Sequence, residues 1–432
     1  MADSKIISNL AKAARVSIRD GYGEALVILG GKNPNVTVLC ADVTESTRAE
    51  AFRKKFPDRF IQVGVAEQNL AAVASGMSAM GKIPFISSYA IFSPGRNWEQ
   101  IRTTIAYNEQ NVKIAGTHAG VTVGPDGATH QALEDIALMR VLPKMTVVVP
   151  CDVIEARKAT IAAAKFIGPA YLRLGREKTP VVTIETTQFE IGKAEVFRHG
   201  EDCAIIACGV MVFEALLAAQ NLEKEDIHCT VINCHTIKPL DRKTIIAAAR
   251  DCNCVVTAEE HQVYGGLGSA VAELLSQTYL VPVHMIGVKD RFGQSGNAEE
   301  LMNAYGLTFK EIEDAVRSIV RKQKMKCEEL HESETALNYN RRKLLEVPRP
   351  ELFFKLKDGG VIKNIPELKK AVNSMKEEVY SYHVNDGKND FASWIRDVFN
   401  DTALAENVQT ARTKSGVEKE LRKVLRELYI KM

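Results

Sequence analysis

The chain has 432 residues, 46% of them hydrophobic and 25% charged, and a formal net charge of +2. Such a composition is that of a soluble globular protein, and the length argues for about three structural units rather than one. It excludes a global field able to recruit nucleic acid or an anionic membrane, so any anion binding has to be local; no apolar run is long enough to span a bilayer.

Met1 to Lys12 has neither the apolar core of a signal peptide nor an Arg/Ser-rich transit pattern. The nine cysteines are scattered through apolar runs instead of standing at framework spacings, which predicts reduced thiols in a cytoplasmic protein. From Ile7 to Arg173, helical stretches alternate with short apolar runs: Val36–Ala41, Phe60–Gly64, Phe85–Tyr89, Val112–Gly116, Met145–Val149 and Ala170–Leu174. This alternation predicts βαβ units in a doubly wound, mostly parallel α/β domain over residues 1–178. Thr179–Gln188, polar and β-branched around Pro180, suits a join. A second series, Ala204–Cys208, Thr230–Cys234, Cys254–Ala258 and Val283–Val288, predicts a smaller α/β domain over 189–322.

Past Val320 a charged run extends the last helix into a linker, 323–348. Residues 349–432 read as a small α+β unit of unknown role. Asp358-Gly-Gly360 between Phe353–Leu356 and Val361–Ile365 signals a hairpin, and Pro366 sits where a helix starts. Trp394, Ile395 and Val398 give one later helix an apolar face, and Val417, Leu421, Val424 and Leu428 give another. The chain shows no internal repeat and no low-complexity tract.

Four segments place polar groups at the ends of predicted strands, where open α/β sheets bind ligands. Cys40-Ala-Asp-Val-Thr-Glu-Ser46 is the first. In Gly64-Val-Ala-Glu-Gln-Asn69, Glu67 opens an Ala- and Gly-rich helix, so its carboxyl faces a closely packed surface and can share a proton with a ligand nitrogen. A carboxylate favoured by a helix dipole has the same pattern. Ser87-Ser-Tyr-Ala-Ile-Phe92 offers two aromatic rings that can stack on a flat heterocycle or fill a core. The densest is Thr117-His-Ala-Gly followed by Gly124-Pro-Asp-Gly-Ala-Thr-His-Gln131, whose His118 and His130 are candidate proton-transfer groups. Zinc ligation there lacks the usual ligand spacing.

Two further features read as structural. Gly265-Gly-Leu-Gly268 has Val271 where a dinucleotide motif needs its last glycine, so it predicts a tight strand-to-helix turn, with His261 an interface or turn residue. Cys327 and His331 lie four apart on a charged stretch that reads as a solvated helical face.

In this order and spacing the four segments resemble the pyrimidine-binding domain of transketolases. The resemblance runs from Ala13 to Ile319, through Val149-Pro-Cys-Asp152, Leu174-Gly-Arg176, Lys238-Pro-Leu-Asp241 and Glu259–Gly268. It implies a thiamine diphosphate enzyme that transfers a two-carbon ketol unit between sugar phosphates. By the same resemblance Glu67 hydrogen-bonds the aminopyrimidine, Phe92 stacks on it and Tyr89 lines its pocket. Asp42 lies near the cofactor. His118 and His130 sit beside the substrate, Asp126 reads a substrate hydroxyl, and Arg176, Arg19 and Ser46 hold the sugar phosphate. An arginine fork suits that last role because it binds phosphate oxygens bidentately.

The sequence departs from full-length transketolases in lacking the Gly-Asp-Gly and later asparagine that hold magnesium and diphosphate in that family. Its Asp-Gly pairs, at 20, 126, 358 and 386, are preceded by Arg, Pro, Lys and Asn instead of Gly and stand in other contexts. The resemblance therefore implies a separate N-terminal subunit carrying Mg2+ and the diphosphate, in an α2β2 assembly. Related thiamine chemistry, in the β subunit of a 2-oxo acid dehydrogenase or a deoxyxylulose phosphate synthase, and a non-catalytic scaffold are the alternative expectations.

Overall fold

A computed structural model describes residues 5–323, 344–346 and 348–430, the last four of these in backbone only. The linker expected at 323–348 lies largely outside the described residues, as do Cys327 and His331. Two compact units divide the chain, 1–321 and 322–432. No helix among the described residues is long and apolar enough to cross a membrane.

In the first unit the strands are β1 (Arg15–Ser17), β2 (Val36–Cys40), β3 (Phe60–Gln62), β4 (Ile83–Tyr89), β5 (Lys113–Thr117), β6 (Thr146–Val148), β7 (Ala170–Leu174) and β8 (Lys178–Pro180). There follow β9 (Glu195–Arg198), β10 (Cys203–Ala207), β11 (Cys229–Asn233), β12 (Thr236–Lys238), β13 (Val255–Gln262) and β14 (Val283–Val288). A seven-stranded sheet has the order β12-β6-β7-β5-β4-β2-β3 and a five-stranded sheet the order β14-β13-β10-β11-β9. Both are parallel except at one edge, where β12 runs antiparallel to β6 and β9 to β11. Strands β2, β5, β7, β10 and β11 are buried along their whole length, as a parallel sheet covered on both faces requires. The ten apolar runs read from the sequence are all strands, displaced by a few residues at most.

Three short pairings were not expected. Strand β12 leaves the second series to extend the first sheet, so the two sheets share hydrogen bonds as well as side-chain packing. The join is fastened too. Its first residues form β8, paired with β1, and Asp152 Oδ2 accepts from Val182 and Thr183 N–H at 2.9 and 2.7 Å. Edge strand β9, only half-buried, shows too little apolar pattern to read. Helix Ile18–Lys32 approaches helix Val153–Lys165 so closely that a Cβ on Gly21 would sit 2.0 Å from the Val153 carbonyl oxygen.

Behind the strand ends, the seam between the sheets holds several buried ionisable groups. Glu259 caps helix Leu267–Ser276 by accepting from Leu267 and Gly268 N–H at 2.7 and 2.8 Å, and a Cβ on Gly266 would lie 2.0 Å from its carboxylate. The glycine cluster is thus the tight turn expected. His261 is fully buried, with its Nε2 accepting from Ala137 N–H at 3.4 Å across the seam. Glu155, Glu259 and Glu260 are all pushed up to about 7 by burial. Each carboxyl binds its proton more tightly folded than unfolded. The resulting stability is full below the ordinary carboxyl range and is lost as pH rises through about 7. The thermal midpoint is expected to fall between about pH 5 and 7, and Glu260→Gln to flatten that fall; scanning calorimetry of both proteins across this range checks it.

The second unit has five α-helices among its described residues: Ile365–Ser374, Glu377–His383, Asp390–Phe399, Thr402–Thr410 and Lys414–Ile430. Asn364 caps the first, Oδ1 accepting from Glu367 N–H at 3.0 Å, with Pro366 in its first turn. The hairpin expected at Asp358–Gly360 is present as Phe354–Lys355 paired with Val361–Ile362. The unit is nonetheless more helical than an α+β reading expects, because its two β ladders are only two residues long per strand. Phe391, Trp394, Ile395, Val417 and Leu421 form its core.

Candidate functional site

The four polar segments follow the carboxyl ends of β2, β3, β4 and β5, and Arg176 follows β7. After β5 the backbone turns at His118 with a positive φ of 56°, and two glycines shape the loop that follows. At Gly120 a Cβ would lie 2.1 Å from the Glu260 carboxyl carbon, and at Gly127 2.5 Å from Ser295 Oγ. Glu260 Oε1 accepts from Thr122 N–H at 2.6 Å, and Gln131 Nε2 donates to the carbonyls of Val121 and Gln294, both at 3.0 Å. The second sheet therefore holds the histidine loop in place.

Four rings meet there. Tyr89 stacks on His118 with centroids 3.7 Å apart and lies against Phe92 at 5.7 Å. His130 meets Phe92 edge-on at 5.4 Å and Tyr89 at 6.2 Å. Glu67, 4% exposed at the first position of helix Glu67–Ala79, joins this cluster through Arg96. Arg96 Nη1 donates to both carboxylate oxygens, at 3.2 and 3.1 Å, and its guanidinium lies 4.0 Å from the Phe92 ring centre. Asn97 Nδ2 donates to the Glu67 carbonyl at 2.9 Å. Sequence reasoning missed Arg96, whose only local signal is its place four residues after Phe92.

His118 is buried, and its hydrogen bonds fix the tautomer. Arg19 Nη1 can only donate, so His118 Nε2 accepts at 3.3 Å. Nδ1–H then donates to Thr117 Oγ1 at 2.9 Å, and that hydroxyl donates to the Ser88 carbonyl at 3.2 Å. Burial first, and then the Arg19 charge, lower the imidazole to about 2, so it stays neutral. His130 is half-buried with Nδ1 at 3.0 Å from Thr129 Oγ1; among the described residues its Nε2 makes no hydrogen bond.

Arg19 departs from the expected phosphate fork. Its guanidinium donates to Ser17 Oγ at 3.3 Å, the Ser46 carbonyl at 2.5 Å, the Arg176 carbonyl at 3.0 Å and His118. Four of five N–H donors are thereby used inside the protein, leaving too few for a bidentate phosphate. Arg176 is better exposed. It donates to the Val123 carbonyl and lies 3.9 Å from Asp126 and 3.6 Å from Glu177, so an incoming anion would compete with two carboxylates. Ser46 enters this network through its carbonyl, its side chain being half-buried. Asp42 stands apart: its N–H is held by Gln62 Oε1 at 2.8 Å, and its exposed carboxylate makes no hydrogen bond or ion pair among the described residues. No group of three or more His, Cys, Asp or Glu side chains among those residues is arranged to hold a metal ion.

Fold and site together define an α/β chain that presents a buried carboxylate and aromatic faces at the carboxyl ends of parallel strands. The sequence matches the transketolase pyrimidine-binding domain over residues 14–181 and the transketolase C-terminal domain over residues 192–312. A transketolase C-terminal section of Methanocaldococcus jannaschii is 44% identical over 309 residues, covering 71% of this chain and 97% of that protein. A 6-deoxy-6-sulfo-D-fructose transketolase subunit of Clostridium sp. strain MSTE9 is 40% identical over 306 residues, covering 71% and 95%. A solved split-gene transketolase, described as an inactive β4 tetramer, superposes with a TM-score of 0.67 at 48% identity over 71% of this chain and 99% of that one. The chain belongs to the transketolase family and corresponds to its C-terminal section.

Proposed function

We propose that the chain is the catalytic C-terminal subunit of a thiamine diphosphate-dependent transketolase. It moves a two-carbon ketol unit from a ketose phosphate to an aldose phosphate, together with a separate subunit that holds Mg2+ and the diphosphate. One observation carries the reading: Glu67, Phe92, Tyr89, His118 and His130, from three segments of the chain, form an unbroken run of contacts at the sheet's carboxyl edge, with Arg96 as the one intervening residue. Arg96 also tests the fit of the cofactor's aminopyrimidine. A flat, nitrogen-rich cation already lies on Phe92 and hydrogen-bonds both oxygens of Glu67, so this pair accepts such a group.

When bound, thiamine diphosphate supplies a nucleophilic carbon and an electron sink for carbon–carbon cleavage. The chain's own residues orient and move protons around it. Glu67 holds a proton on the ring nitrogen, Phe92 supports the ring's face, and Tyr89 walls the pocket, with Asp42 at its margin. His118, kept neutral, serves as a hydrogen-bonding partner of substrate hydroxyls, while His130 has the open ring nitrogen that proton transfer needs. Asp126 reads a hydroxyl, Arg176 and Ser46 take the sugar's anionic end, and Arg19 positions these groups instead of binding the anion itself.

Two observations support a divided enzyme, for which an α2β2 assembly in the cytoplasm is part of the proposal. The sequence lacks the family's metal-holding residues, and the solved relative that this chain spans almost end to end is described as inactive. The deciding experiment mixes the chain with its candidate partner, thiamine diphosphate and Mg2+, and follows transfer from xylulose 5-phosphate to ribose 5-phosphate, with each chain alone as a control. Transfer in the mixture only is the expected result. Cofactor binding without transfer would overturn the substrate assignment, and no cofactor binding would favour a scaffold.

A further inference from the structure

Arg96 makes both of the contacts that the reading above gives to the cofactor's aminopyrimidine. Its guanidinium hydrogen-bonds Glu67 Oε1 and Oε2 at 3.2 and 3.1 Å and lies 4.0 Å from the centre of the Phe92 ring. Two flat cations cannot share one carboxylate edge and one ring face. The position is built in by the backbone. Arg96 N–H donates to the Phe92 carbonyl at 2.8 Å, which sets the two residues one turn apart on the backbone, and Asn97 ties the same turn to the start of the Glu67 helix. The two partners differ in freedom, Glu67 being 4% exposed and the Arg96 side chain 50%. A carboxylate so buried is costly to leave unpaired, whereas a half-exposed arginine can swing into water at little cost.

We propose that Arg96 is a built-in placeholder for the aminopyrimidine, holding Glu67 and Phe92 in their binding geometry and giving way when thiamine diphosphate enters. This rests on the assignment of Glu67 and Phe92 to the cofactor. The placeholder satisfies the carboxylate before loading and competes with the cofactor during it, so cofactor affinity is set partly by how readily Arg96 leaves.

Calorimetric titration of thiamine diphosphate, at fixed Mg2+, into the complex of this chain with its partner subunit tests the proposal without reference to turnover. Arg96→Ala and Arg96→Met are each expected to tighten binding about two- to fivefold, the worth of a half-exposed ion pair, and to speed association. The methionine keeps the apolar cover over Phe92, so the result does not depend on whether the alanine variant folds. Unchanged or weaker binding by Arg96→Met, alongside clearly weakened binding by Glu67→Gln, would overturn the placeholder while leaving the site assignment intact. Unchanged binding by Glu67→Gln would overturn both.

Discussion

Glu67→Gln in the assembled complex is expected to lower two-carbon transfer by about a thousandfold while the protein stays folded, in the range typical of a lost general acid–base group. The substitution keeps the side chain's size and removes its negative charge together with its capacity to hold or release a proton. Leu70, Ala71 and Ala74, which bury the face of helix Glu67–Ala79, are untouched. The amide can still face Arg96 and the ring nitrogen through its oxygen, so the fold and part of the cofactor affinity remain. Rate measurements under saturating cofactor, with a thermal unfolding curve for each protein, separate the two effects. A variant that keeps its transfer rate would remove Glu67 from the chemistry, and one that unfolds at the wild-type working temperature would show that the helix start depends on the charge.

The parts legible in the sequence are those whose physics is local. Strands such as Ala170–Leu174 and Val283–Val288 are continuous apolar runs, and the strand-end positions of Glu67, Phe92, His118 and His130 follow once the strands are placed. Contacts across long separations were not legible. Arg19 meets His118 and Arg176 from 99 and 157 residues away, and nothing near Arg19 distinguishes a phosphate fork from an internal clamp. Arg96 reaches back 29 residues to Glu67. Strand β12 is three residues long, and it pairs only because another sheet's edge happens to be beside it. In each case the missing information is which segments meet, and short-range pattern does not carry it.

The same reasoning locates the largest stability effect away from the rings, at Arg173. Its Nε donates to Asp135 Oδ2 at 2.8 Å and its Nη2 to the carbonyls of Ala132 and Glu260 at 3.2 and 2.9 Å. One side chain thus links the first sheet, the end of the histidine loop and β13 of the second sheet. The pair is 6% and 1% exposed, and Asp135 Oδ1 is buried without a hydrogen bond, so the carboxylate depends on Arg173 and on the Tyr171 hydroxyl at 2.7 Å. Arg173→Met is expected to cost about 3–5 kcal/mol, because it strands a buried carboxylate instead of merely deleting an attraction. Chemical denaturation of the isolated chain measures this. Adding Asp135→Leu removes the stranded charge and should recover much of the loss, since burying a charge pair is itself expensive. The loop anchor at Ala132 stays missing in the double variant. Transfer activity should therefore stay low after stability returns, whereas full recovery of both would mean that Arg173 serves only to neutralise Asp135 and does not hold the histidine loop.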